Sequence, residues 1–123
     1  MDKARKKELK AQYKVMKPDM GVFMISSRVT KKCHIQATKD LKGVINGSRA
    51  KLQAGVHPNL ELRQEWKELG SENFTIEILE HLDYQEDKEQ ADYSDELAIL
   101  QMEWEEKLLK DGWQLYKKRI RAE

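Results

Sequence analysis

The chain of 123 residues has few features besides a hydrophobic core that could stabilise its fold. Its single cysteine, Cys33, cannot form an internal disulfide, as is usual in a reducing compartment. No apolar run is long enough to span a bilayer. The first residues are basic, but no apolar segment follows at once, which argues against a signal peptide. We therefore expect a cytoplasmic protein without contact to a membrane, held together by the 39% of its residues that are hydrophobic.

An excess of one charge is also missing, because the net charge is only +1. The charges are nevertheless sorted along the chain. Residues 1–17, 21–55 and 107–121 are each strongly basic, whereas residues 80–106 carry eleven Asp/Glu against one lysine. This pattern fits a phosphate-binding face on one side of the molecule. It fits equally well a set of ordinary solvated faces whose charges offset one another.

The first part of the chain predicts a helix followed by a hairpin. Residues 3–16 have apolar positions at spacings of four and three, which predicts a basic N-terminal helix that Pro18 ends. The apolar run 22–25 and the segment 33–36 predict two short strands joined by a polar loop. Because the strands are close in sequence, we expect them to pair antiparallel.

Four further elements complete the predicted order. They are a helix from Thr38 or Asp40 to about Ala54, a helix from Asn59 to Gly70, a strand over 74–79, and a helix from Ser94 to Gly112. Gly47 could break the first of these helices, and residues 83–93 predict an exposed acidic loop. Trp113, Leu115 and Tyr116 are expected to pack back on the core. The order predicts an α/β sandwich with one three-stranded, mostly antiparallel sheet flanked by helices.

Two segments of the hairpin carry a resemblance to a known family. Gly21-Val22-Phe23 and His34-Ile35-Gln36 resemble the Gly-Ile-Tyr and Tyr-Ile-Gly motifs that name the GIY-YIG nucleases. The segment from His57 to Leu79 resembles the second helix and third strand of that fold. Residues 20–117 would form the GIY-YIG-like domain, with residues 1–19 as an added basic helix and 118–123 as a basic tail. The whole chain resembles short stand-alone bacterial proteins of this family.

The resemblance implies a site that hydrolyses a phosphodiester, and most of its positions are substituted here. Such a site needs a hydroxyl or activated water, an arginine on the phosphate, and a glutamate that holds a divalent metal. The corresponding positions are Phe23, His34, Val44, Gln101 and Lys117. Phenylalanine has no hydroxyl, valine cannot contact phosphate, and a neutral amide is a poor sole ligand for Mg²⁺. Only His34 could still act, because it can accept a proton or hold a metal.

Neighbouring residues offer few replacements. Arg49 follows Val44 by five residues, which places it about 140° away around a helix. Glu105 lies one turn after Gln101 and is a weak metal candidate, for which a solvated helix face is the preferred interpretation. His57 is interpreted as a loop residue. Cys33 and His34 are adjacent on a strand and point to opposite faces, so they do not form a nucleophile pair.

Three functions remain open from the sequence. The first is a catalytically impaired nuclease-like protein that binds nucleic acid, with DNA favoured over RNA, through a basic cleft and without a cofactor. The second is a metal-dependent endonuclease that uses His34 and Mg²⁺, and the third is a module that binds a protein or small ligand. Candidate phosphate contacts are the basic residues Lys3, Arg5, Lys6, Lys7, Lys10, Lys14, Lys39, Lys42, Arg49 and Lys51. Lysines that merely keep the domain soluble are the alternative.

Overall fold

The computed structural model describes residues 18–84 and 93–117. Its elements are β1 (Met20–Ser27), β2 (Lys32–Thr38), α1 (Leu41–Ala54), α2 (Leu60–Leu69), a 3₁₀ turn (Ser71–Asn73), β3 (Phe74–Leu82), α3 (Ser94–Lys110) and β4 (Gln114–Leu115). The predicted helix over 3–16, most of the predicted loop over 83–93 and the tail over 118–123 lie outside the described residues. Within the described ranges, no helix combines the length and the apolar character that crossing a membrane requires.

The sheet has four strands in the order β3-β1-β2-β4. β1 pairs antiparallel with both β2 and β3, so the predicted antiparallel hairpin is confirmed. The predicted number of three strands was wrong, because β4 adds a parallel pair in which Gln114 lies opposite Lys32. A strand of two residues is too short to show the alternation by which a strand is recognised in sequence. The α/β architecture itself is as predicted.

Helices cover both faces of the sheet. Every residue of the central strand β1 is buried, so its side chains alternate between two apolar cores. Phe23 and Ile25 lie in the core shared with α1 and α2, together with Leu41, Leu52, Leu62, Phe74 and Tyr116. Val22 and Met24 lie in the core beneath α3, together with Cys33, Ile35 and Leu108. β2 follows the same alternation, which turns His34 and Gln36 toward α1.

The helix ends near the cleft are fixed by side chains that the sequence identifies. An Asp40 Oδ1 atom accepts from the Gly43 N–H at 3.0 Å, and α1 then continues through Gly47 without a break. Asn59 Oδ1 accepts from the Leu62 N–H at 3.0 Å and caps α2. α3 begins at Ser94 as predicted, but its cap position is Tyr93, whose side chain makes no capping hydrogen bond.

Candidate functional site

A cleft of about 550 Å³ opens between β2, α1 and the loop before α2. It lies on the α1 and α2 side of the sheet. Three segments line it: His34 and Gln36 of β2, Gly43, Val44, Gly47, Ser48 and Lys51 of α1, and the loop residues His57, Pro58 and Asn59. A cleft of this volume can accept a nucleotide-sized group.

The β2 wall of the cleft is polar because of the strand alternation. His34 and Gln36 are two residues apart and share a face, with His34 Nε2 at 3.4 Å from Gln36 Oε1. Their strand partners on β1 are Ile25 and Phe23. The intervening Ile35 is buried in the core beneath α3, so β2 shows its polar residues to the cleft and its apolar residues to α3.

His57 forms the opposite wall of the cleft, and the sequence did not identify it as a site residue. It lies in a loop, as interpreted, but it is only 4% exposed. Its ring meets the His34 ring edge-on, with centroids 5.5 Å apart and planes at 86°. His57 Nδ1 accepts from the Asn59 N–H at 3.0 Å, which leaves the ring proton on Nε2 when His57 is neutral. The His-Pro-Asn run before a capped helix was the signal available in sequence.

The charge state of His57 follows from its surroundings. Burial lowers its pKa from 6.5 to about 4, and the nearby positive groups of His34, Lys51 and Arg63 act in the same direction. His57 is therefore neutral at pH 7 and can donate a hydrogen bond from Nε2. Lys51 also lines the cleft, close enough to His57 to contribute to this shift.

Apolar side chains occupy the two positions at which the resemblance predicts a hydroxyl group and a positively charged group. Phe23 is 0% exposed and packs in the core between the sheet and α1. Val44 lines the cleft as an aliphatic surface. A phosphate in the cleft would therefore meet neither a phenol nor a guanidinium at these two positions.

The positions near the end of the family pattern are engaged in structural contacts. Gln101 Oε1 accepts from the Ala37 N–H at 2.9 Å, so this amide oxygen satisfies the backbone of β2. The main chain of Lys117 is held at both polar atoms: its carbonyl accepts from Asn59 Nδ2 at 3.2 Å, and its N–H donates to Glu61 Oε1 at 3.1 Å. The Lys117 side chain is exposed.

The residues that the structure describes do not fit a divalent metal. In the part of the chain that the structure describes, no three His, Cys, Asp or Glu side chains converge as ligands. Burial, with a contribution from the negative charge of the nearby Glu105, raises the pKa of the Cys33 thiol to about 11. Because Cys33 and His34 face opposite sides of β2, Glu105 and His34 do not share a site. We therefore derive no step through a metal.

The structure brings part of the predicted basic set to the cleft. Lys51 lines it, and Lys39, Lys42 and Arg49 are all exposed. Arg49 is two residues before Lys51 and Lys42 is nine before it, which places them about 160° and 180° away around α1. The remaining candidates, Lys3, Arg5, Lys6, Lys7, Lys10 and Lys14, lie outside the described residues.

The hairpin of β1 and β2, the two helices on one side of the sheet and the single helix on the other define a GIY-YIG-like fold. The predicted resemblance is thereby confirmed at the level of the fold.

Two solved structures show the same arrangement. One is the catalytic domain of the homing endonuclease I-TevI, and the other is a mutant of the catalytic domain of the intron endonuclease I-TevI. Each is 19% identical to this chain over 80% of its length, with a TM-score of 0.62, and the match covers 99% and 92% of those chains respectively. No protein-family profile and no curated protein matches the sequence. At this identity the similarity establishes the fold alone.

Proposed function

We propose that the protein is a catalytically impaired nuclease-like protein that binds nucleic acid in the cleft. The observation that carries the proposal is a contrast within one site. His34, Lys51 and His57 line the cleft, where a phosphate can be bound, whereas Phe23, Val44 and Gln101 occupy the positions at which the fold's chemistry needs a hydroxyl, a cation and an anion.

The cleft offers a phosphate an ammonium group and an imidazole hydrogen-bond donor. The Lys51 ammonium supplies the charge, and His57 can donate from Nε2 because its Nδ1 is held by the Asn59 N–H. The aliphatic surfaces of Val44 and Pro58 can pack against sugar or base. Contacts of this kind position a nucleic acid without reading base edges, so we expect little sequence preference. DNA is favoured over RNA because the structural neighbours are described as homing and intron endonucleases.

One gel experiment tests binding and cleavage together. The protein is incubated with single- and double-stranded DNA and RNA, with Mg²⁺ and with Mn²⁺. We expect band shifts that weaken steeply with salt, and no cleavage. Lys51→Ala should weaken the shift, whereas Lys67→Ala, which removes an exposed lysine of α2 outside the cleft, should leave it close to wild type.

A second candidate function is a nuclease with a rearranged site. The observation in its favour is the pair of imidazoles at 5.5 Å, since His34 could take up a proton from an attacking water. Metal-dependent cleavage that disappears in His34→Ala and persists in Lys67→Ala would support this function over the first. If neither cleavage nor band shifts occur, the cleft serves a protein or a small ligand.

The cellular setting also remains a proposal. We propose a cytoplasmic location, which the buried free thiol of Cys33 supports, and a bacterial origin, which rests on the resemblance alone. Fractionation of cells that express a tagged chain would test the compartment, with recovery in the membrane pellet as the contrary result.

A further inference from the structure

We infer that an apolar ridge beside the cleft binds the unpaired bases of a single-stranded nucleic acid. The ridge consists of Val56 and Pro58, in the loop before α2, and of Leu60, the first residue of that helix. The inference rests on the proposed function and names its substrate class. The ligand is a strand whose bases lack a complementary partner and whose backbone contacts Lys51.

The three side chains of the ridge are exposed although they are apolar. Val56 is 60% exposed, Leu60 is 52% exposed, and Pro58 between them is exposed as well. The two residues that separate them, His57 and Asn59, are both buried. The loop therefore buries its polar side chains and presents its apolar ones to solvent, which reverses the usual order. Adjacent exposed apolar side chains of this kind are typical of a binding surface.

Hydrogen bonds of the intervening residues hold the ridge in place. His57 Nδ1 accepts from the Asn59 N–H at 3.0 Å, and Asn59 Oδ1 accepts from the Leu62 N–H at 3.0 Å. At the other end of the loop, the Val56 N–H donates to the Lys51 carbonyl at 2.8 Å. Because the ridge is fixed before a ligand arrives, binding costs little conformational entropy of the loop.

The ridge continues one wall of the cleft and has a cation on each side along the chain. Pro58 lines the cleft, as does Lys51 before the ridge. Arg63 follows the ridge, three residues after Leu60 on α2. Besides burial, which is the main cause, the positive charges of Lys51 and Arg63 help to lower the pKa of His57, so both lie near the ridge. Apolar surface between two cations suits a strand in which phosphates alternate with base faces.

The loop that carries the ridge has no acidic residue of its own. Residues 55–60 contain neither Asp nor Glu. Glu61, the next residue, makes contacts elsewhere: its Oε1 accepts from the Lys117 N–H at 3.1 Å, and its Oε2 lies 3.5 Å from the Lys32 ammonium. A lysine of β2 thus offsets the carboxylate nearest in sequence to the ridge.

A single strand fits these features better than a duplex or a protein does. The bases of a duplex are stacked and offer only their edges in the grooves, so a ridge beside the backbone gains little apolar contact. The bases of a single strand expose their faces, which can pack on side chains. A stable protein interface takes roughly 800 Å² from each partner, far more than three side chains of this size expose.

The test compares two variants that are matched in exposure. In the ridge variant, Val56 and Leu60 are replaced by Ser. In the control variant, Ser replaces Val29 of the β1–β2 turn and Leu109 of α3, which are 60% and 51% exposed and do not line the cleft. Circular dichroism should show both variants folded, because all four side chains are exposed.

Three probes are compared at several salt concentrations: a 12-nucleotide oligothymidine, an abasic sugar–phosphate oligomer of the same length, and a 12-base-pair duplex. We expect the wild type to bind oligothymidine more tightly than the duplex. The ridge variant should bind oligothymidine about tenfold more weakly than the control variant, because bases no longer take apolar side chains out of water. The two variants should bind the abasic oligomer alike, since it offers phosphates without bases.

Salt dependence separates the ridge from the phosphate contact. The plot of log K against log salt for oligothymidine should have the same slope in the ridge variant and the wild type, because no phosphate contact is removed. Lys51→Ala should make that slope shallower by about 0.7.

The outcomes separate this inference from the function beneath it. Equal affinities of the two variants for oligothymidine would overturn the ridge as a base-binding surface. A loss that persists with the abasic oligomer, or a wild type that prefers the duplex, would overturn it as well. In these cases a loss of affinity in Lys51→Ala would leave the proposed function intact. If the wild type binds none of the probes, the proposed function and the inference both fail, and the ridge is left to a protein partner.

Discussion

At the scale of single residues, two glycines are used for different reasons. Gly21 lets β1 approach β3 at an irregularity in their register, because a Cβ there would overlap the Glu80 carbonyl oxygen and crowd His81. Gly47 lies in the middle of α1, and a Cβ added to it would have no neighbouring atom within 4 Å. Only the first glycine is required by the packing.

This difference predicts opposite changes in stability. Gly21→Ala should lower the free energy of unfolding by about 1–3 kcal/mol, because a strand must move to admit the methyl group. Gly47→Ala should raise it by roughly 0.5–1 kcal/mol through helix propensity. Urea denaturation of both variants measures the two changes. If Gly21→Ala were as stable as the wild type, β1 and β3 would leave room for a methyl group at Gly21.

His57 gives a prediction for pH. Its pKa is about 4 in the folded chain against 6.5 in the unfolded chain, so the unfolded chain takes up a proton first as the pH falls. Stability should therefore be unaffected above pH 6.5 and fall between pH 6.5 and 4, by up to about 3 kcal/mol. In His57→Gln the change in unfolding free energy between about pH 7 and pH 5 should be smaller than in wild type. An unchanged pH dependence would mean that His57 is not the group responsible.

Sequence reasoning at this scale found the residues that act locally and missed the one that acts at a distance. Asn59 was identified as a helix cap, and Asp40 as one of two candidates beside Thr38, because capping depends on neighbours three residues away. The role of His57 in the cleft depends on its ring contact with His34, which is 23 residues earlier, and on its burial in the fold. Neither relation is visible in the pattern around His57.

At the scale of elements, Glu65 of α2 joins parts of the chain that are distant in sequence. Glu65 Oε1 accepts from the Tyr116 hydroxyl and from Thr30 Oγ1, both at 2.8 Å, and the Lys32 ammonium lies 3.5 Å from Oε2. The carboxylate thus ties α2 to the β1–β2 turn, to β2 and to the residue after β4. Burial, followed by Glu65, raises the pKa of Tyr116 well above its usual range, so its hydroxyl remains a donor.

Tyr116→Phe tests this junction with the least change in shape. Tyr116 is 3% exposed, and the substitution removes only the hydroxyl that donates to Glu65. We expect a loss of about 1.5–3 kcal/mol in the free energy of unfolding, typical of a hydrogen bond to a charged group. Thermal and urea denaturation provide the measurement. Lys67→Ala, a change at an exposed position of α2, serves as a control that should shift neither.

The junction also explains why one strand was missed. The long elements have apolar periodicity of their own, so their number and order follow from the sequence. Gln114 and Leu115 form a strand only because Lys32 and Cys33 offer them a free edge and Glu65 holds the following Tyr116. Pairing of this kind is decided by tertiary contacts between segments about 80 residues apart.

At the scale of the whole molecule, sequence predicts the architecture better than the placement of charge. The GIY-YIG-like sandwich follows from the order of elements and from the motif hairpin. The convergence of basic residues depends on how α1 is rotated against the sheet, which brings Lys51 to the cleft and leaves Lys42 and Arg49 on the far side. A net charge of +1 carries no information about this rotation.

The same rotation supplies a test of whether binding belongs to the cleft or to the molecule's general charge. Gly47 lines the cleft and has room for a side chain, whereas the adjacent Asn46 is exposed and does not line it. Gly47→Glu and Asn46→Glu change the net charge equally, one inside the cleft and one about 100° around α1. We expect Gly47→Glu to weaken DNA binding about tenfold, which corresponds to about 1.4 kcal/mol, and Asn46→Glu to weaken it less than about twofold. Gly47→Ala should bind DNA like the wild type, which would show that the charge of the Glu side chain and not its size weakens binding. Equal losses of DNA affinity in the two Glu variants would show that binding depends on the overall charge of the protein instead of the cleft.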